Sequence, residues 1–109
     1  RVIALAGNLQ ALHQRRRFLT RDLNRGWSRA ALQALRTRSA AQHSPEDEEQ
    51  LELLSWFERV EQTATGPIVF VDLHTSSADG PPFLCLADTI DNRRLGLVTR
   101  VPIILGIEE

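Results

Sequence analysis

Four consecutive residues, Ile68-Val69-Phe70-Val71, are β-branched or aromatic with no polar interruption, and Gly66-Pro67 directly before them stops any helix. Such side chains are stiff at χ1 and pack well on a pleated surface. A run without polar alternation suits a central strand covered on both faces. Its polar C-terminal end then becomes the place to look for chemistry, because open α/β sheets put their ligand sites at strand C-termini.

The flanking segments fit an α/β layer structure. Ser44-Pro45-Glu46-Asp47 combines an N-cap hydroxyl, a first-turn proline and acids at the positive end of a helix. That helix should run to about Thr63, with Leu53, Leu54, Phe57, Val60 and Ala64 as its apolar face. The acidic run from Glu46 to Glu52 reads most simply as a solvated face. Ser28 caps a second helix through about Arg38, with Ala31, Leu32 and Leu35 at helical spacing. Residues 8–16 suggest a short helix and 17–26 a polar turn region. Residues 1–6 open on a strand-like run. Beyond the polar loop at 75–82, residues 83–87 and 101–105 are short strand candidates around a helix at 89–99. Strands alternating with helices predict a mixed, mostly parallel sheet.

Composition narrows the partners. The 109 residues are 42% hydrophobic and 25% charged with a net charge of -1, which is ordinary for a globular domain and gives no electrostatic pull toward nucleic acid or an anionic membrane. No apolar run approaches the roughly 20 residues of a spanning helix. The single cysteine, Cys85, excludes an internal disulfide and a multi-cysteine zinc site. Its apolar neighbours predict a buried, inert thiol, and a cytoplasmic location is compatible with it.

Two clusters carry chemistry. In the first, Asp72 and His74 stand two apart at the C-terminal end of the expected central strand, so they share a face. A histidine there is a candidate metal ligand or acid/base group, and a nearby carboxylate is the usual partner that orients a ligating imidazole. The alternative is a structural histidine bonded to its loop, and one histidine is not a catalytic zinc site, which needs three protein ligands. In the second cluster, five arginines and Asp22 lie within residues 15–25, with Asn24 beside Arg25. Arginine grips carboxylates bidentately and asparagine adds a further hydrogen bond, so an anionic substrate fits. The alternatives are a solvated basic loop or a nucleic-acid patch. A single aromatic, Phe18, and the slightly negative chain weigh against the latter.

Taken in order, Asn8, Ala11, Arg17, the tetrapeptide Asp22-Leu23-Asn24-Arg25, and Asp72-Leu73-His74 after a hydrophobic strand resemble the aspartoacylase/succinylglutamate desuccinylase family, relatives of the zinc carboxypeptidases. The resemblance spans nearly the whole chain. It implies a partial zinc-carboxypeptidase-like three-layer α/β fold and a Zn2+-dependent hydrolase acting on a small-molecule N-acyl amino acid or a similar carboxylate-bearing amide. His74 corresponds to the third zinc ligand, and Asp72 to a carboxylate behind a zinc-binding histidine. Arg17 corresponds to the arginine that polarises the scissile carbonyl, and Asn24 and Arg25 to the pair that grips the substrate carboxylate. Asp22 is expected to support the loop by pairing with an arginine, and Asn8 to shape the loop after the first strand.

The resemblance also predicts what residues 1–109 lack. The first two zinc ligands of the family come from a His-x-x-Glu motif ahead of the opening strand, and the general-base glutamate from a later strand. His13 is placed on the short helix, His43 in the loop before Ser44, and Glu108 and Glu109 at a helix start. The chain therefore reads as one internal fragment of a catalytic domain, inactive alone, whose uncovered sheet edges would allow association. The competing expectations are a metal-free carboxylate-binding module and a purely structural segment.

Overall fold

The computed structural model describes residues 1–73 and 79–106, and these form two compact units, Arg1–Phe70 and Val71–Glu109.

The first unit is helical. Its elements are α1 (Leu9–His13), a 3-10 turn (Leu23–Arg25), α2 (Arg29–Thr37), a second 3-10 turn (Ala40–Gln42) and α3 (Pro45–Thr63). The helix starts follow the sequence. Ser28 accepts from the Ala31 N–H at 3.2 Å, and Ser44 and Asp47 form a reciprocal capping box, at 3.1 Å and 2.9 Å. These bonds satisfy amide groups that a helix start leaves without intrahelical partners. The C-terminal part of α3 turns Leu53, Leu54, Phe57 and Val60 partly inward, whereas Ala64 is the exposed C-cap. Phe57 joins Trp27 (ring centroids 5.9 Å apart) and Phe70 (5.4 Å, edge to face), and the buried apolar residues are Ala11, Leu23 and Leu35.

The second unit is a small parallel β-α-β arrangement. Strands β1 (Leu84–Leu86) and β2 (Ile103–Leu105) pair in the register Leu84↔Ile103, Cys85↔Ile104 and Leu86↔Leu105, joined through α4 (Ile90–Thr99), which Thr89 caps. A parallel pair needs such a crossover, since a tight turn cannot return the chain in the same direction. Gly96 lets α4 approach the strands: a β-carbon there would lie 2.6 Å from Leu86 Cδ1 and 2.9 Å from Ile103 Cδ1. Among the described residues no helix is long and apolar enough to cross a membrane.

Four expectations are corrected. Residues 68–71 are not a strand: they pair with no neighbour, and Phe70 is 70% exposed. Residues 2–6 likewise form no ladder, with Val2 93% exposed. A strand is held by a neighbour's hydrogen bonds, and among the described residues only β1 and β2 supply them to each other. The acidic start of α3 is buried rather than solvated, with Glu46, Asp47, Glu49 and Gln50 all inside. Cys85 is exposed, because it occupies the outward position of β1 between two inward leucines. The two-stranded sheet with its helix is α/β; the three-layer arrangement is not among the described residues.

Candidate functional site

The arginine-rich segment becomes a shaped loop because both of its ends are fixed. At the upstream end α1 stops in a Schellman arrangement. The Arg16 N–H donates to Ala11 O at 2.9 Å and the Arg15 N–H to Leu12 O at 2.9 Å, with Arg15 itself left-handed at φ 53°. Asn8, also left-handed, donates from Nδ2 to the Arg17 carbonyl at 3.4 Å. At the downstream end, Leu23 is buried and anchors the 3-10 turn that carries Asn24 and Arg25.

Asp22 is the centre of this loop. Its Oδ2 pairs with Arg17 Nη2 at 2.9 Å, and its Oδ1 accepts from the Asn24 N–H at 3.1 Å, capping the 3-10 turn. The Asn24 N–H, then the Arg17 guanidinium and the nearby Arg25 charge, hold the Asp22 carboxyl below its ordinary range despite partial desolvation. One carboxylate thus ties Arg17 to the Asn24 amide, with the Arg25 charge nearby. The side chains of Asn24 and Arg25 face solvent.

The first turns of α3 grip the loop from behind. Glu46 accepts from the Leu19 N–H at 2.5 Å, the Thr20 N–H at 3.2 Å and the Thr20 hydroxyl. Arg21 reaches Asp47 Oδ1 at 2.8 Å and Gln50 Oε1 at 2.6 Å. Gln50 Nε2 in turn donates to the Gly26 carbonyl at 2.6 Å, and Arg38 donates to the other Asp47 oxygen at 2.7 Å. Glu49 accepts from the Leu9 N–H at 2.7 Å, at the start of α1. Burial pushes the Glu46 carboxyl up, but the Thr20 hydroxyl and the Leu19 and Thr20 amides outweigh it and leave the group at about 2. Asp47 also sits at about 2: burial raises it, and Ser44 and Arg21 more than compensate. A buried carboxylate persists only when donors surround it in this way.

These acidic residues were missed in the sequence, where they read as a solvated face. The signal was present. Running the apolar stripe of α3 backwards from Phe57 through Leu53 by threes and fours reaches Gln50, Glu49 and Glu46, so the polar residues continue the inward face. The nearby excess of arginine and free loop amides supplied the partners.

Asp72 belongs to the second unit, exposed in a segment without regular secondary structure, so the expected strand-end placement is not what the structure shows. His74 lies outside the described residues, as do Glu108 and Glu109. The expectation that residues 1–109 lack a His-x-x-Glu motif is corrected by the sequence itself, since His43 and Glu46 have that spacing, downstream of the arginine loop. There the Glu46 oxygens are taken up by loop donors, and His43 Nε2 is buried without a partner. Among the described residues no three histidine, cysteine or carboxylate side chains come together as a metal site.

No curated protein and no solved structure matches the chain. A family model described as the succinylglutamate desuccinylase/aspartoacylase catalytic domain matches residues 1–99.

Proposed function

The chain belongs to the succinylglutamate desuccinylase/aspartoacylase family, and from that premise we propose that it forms part of a zinc-dependent hydrolase that cleaves the amide bond of an N-acyl amino acid. The observation that supports this reading most is the loop organised around Asp22, which gathers Arg17, Asn24 and Arg25 in one short stretch. Arg17 already binds a carboxylate there, the chemistry a dianionic acyl amino acid presents.

Zinc is the cofactor this reading calls for, with His74 as one ligand and Asp72 as the carboxylate behind a ligating imidazole. The metal, when bound, acidifies water and polarises the amide carbonyl. The described residues do not themselves form a three-ligand site. On this reading residues 1–109 are one piece of the catalytic domain, with the other ligands and the general base supplied elsewhere. The roles left to this chain are those of the loop. Arg17 stabilises charge that develops on the carbonyl oxygen. Asn24 and Arg25 hold the substrate carboxylate, fixing the scissile bond in place. Asp22 keeps Arg17 oriented until substrate arrives.

The test is amine release from N-succinylglutamate by the zinc-loaded full-length enzyme. Arg17→Ala should lower turnover by on the order of 10²–10³. A near-wild-type rate removes Arg17 from the mechanism. The second reading, a metal-free carboxylate-binding module, draws on the described residues offering an arginine loop but no ligand triad. It predicts that the wild-type protein binds N-succinylglutamate and releases no amine.

A further inference from the structure

We propose that Glu46 is a positioning residue for substrate recognition: from the first turn of α3 it holds the backbone of the arginine loop so that Asn24 and Arg25 present the carboxylate-binding surface, a role that rests on the hydrolase reading above. Glu46 is 0% exposed and makes no hydrogen bond or ion pair with the side chains of Arg17, Asn24 and Arg25. Its partners are the Leu19 N–H, the Thr20 N–H and the Thr20 hydroxyl, which follow Arg17 in the chain and precede the Asp22 cap. Both oxygens are used, so the carboxylate fixes two successive peptide units rather than one. The far end of the same loop is held independently, where Gln50 donates to the Gly26 carbonyl. Between these anchors lie only Arg21, which α3 also binds, and the Asp22–Arg25 stretch that carries the clamp.

The geometry has a chemical reason. A loop with five arginines within residues 15–25 repels itself. Main-chain amides add further uncompensated donors when they turn inward. A buried anion satisfies the donors and opposes the cationic charge without occupying Arg17, Asn24 or Arg25. A neutral side chain of the same shape can accept fewer of these bonds. Carboxylate recognition depends on placement, since a displacement of about 1 Å at a binding group can cost on the order of a hundredfold in rate.

The experiment compares Glu46→Gln and the milder Thr20→Val with the wild-type full-length enzyme. Amine release is measured on N-succinylglutamate and on the same amide with its carboxylates methylated. Exchange of the Asn24 amide, which Glu46 does not touch, is followed in parallel. The expected result for Glu46→Gln is a roughly tenfold higher KM for the free acid with little change for the ester, and faster Asn24 exchange. Thr20→Val should shift the same quantities in the same direction by less. Equal losses on acid and ester, the mark of a smaller folded fraction, would overturn the proposal, as would unchanged kinetics. If wild-type enzyme cleaves neither compound, the hydrolase reading fails on its own account. Calorimetric binding of N-succinylglutamate then decides the positioning role: weaker binding in both variants with faster Asn24 exchange sustains it, and unchanged binding ends it.

Discussion

Asp22 shows how one side chain can have two jobs with unequal weight. It pairs with Arg17, whose side chain is 67% exposed, and it caps the 3-10 turn through the Asn24 amide. An exposed ion pair is screened by water and salt, whereas a hydrogen bond from a main-chain amide is held by the fold. The Asn24 amide is accordingly the leading cause of the lowered Asp22 carboxyl, with Arg17 behind it. Carboxyl titration followed by NMR should therefore find the Asp22 midpoint below 3.8 in wild-type protein and still below it in Arg17→Ala. A midpoint restored to 3.8 by that single substitution would make the ion pair the dominant interaction. Because the folded value is depressed, ionised Asp22 favours the folded state above the ordinary range, and that contribution disappears as pH falls through the folded value. At this scale the sequence was informative about the loop residues, since Asp22-Leu23-Asn24-Arg25 is a contiguous pattern. For Glu46 the helical spacing marks an inward face but not its partners, since Leu19 and Thr20 lie 27 and 26 residues away and offer mainly backbone groups.

The same distinction between local and distant partners separates the elements. The starts of α2, α3 and α4 were legible because Ser28, Ser44 and Thr89 bond amides three residues on. The short strands β1 and β2 were legible as apolar runs, with α4 between them as the crossover. Residues 68–71 carry an equally strong strand composition and form none, because composition cannot supply the neighbouring ladder. The buried start of α3 makes its stability dependent on pH. Glu46 and Asp47 both have folded values of about 2, below ordinary values of 4.5 and 3.8. Their stabilisation is complete above about pH 4.5 and is lost as pH falls toward about 2. Glu46→Gln has no charge to titrate at that position. The stability gap between wild type and Glu46→Gln, measured by urea unfolding at a series of pH values, should be steady from pH 7 to about 5 and narrow below it. A gap of constant size down to pH 2.5 would mean that the charge of Glu46 contributes nothing to its grip on the loop.

On the scale of the whole molecule, what is buried is unusually polar. Among the described residues the largest fully buried side chains are Gln50 and Glu46, while Val2, Phe70 and Leu73 stand in solvent. In the first unit, specificity of the loop is therefore held by hydrogen bonds around a modest apolar interior, and such bonds contribute little net stability each while being costly to leave unmade. The apolar run at 68–71 should then contribute little to the folding of this 109-residue chain, despite being its most hydrophobic stretch. Val69 is 57% exposed and Leu35 only 3%. Val69→Lys places a charge where the sequence alone expects a doubly covered strand, so the two views give opposite answers. With the valine in solvent, the substitution should change unfolding free energy by no more than about 0.5 kcal/mol. Leu35→Ala, in the same urea titration, should cost about 2–5 kcal/mol, the scale of a truncated core leucine. A lysine at position 69 that destabilises as much as the alanine at position 35 would show that residues 68–71 are covered in solution, and would reinstate the central strand that the sequence pattern predicts.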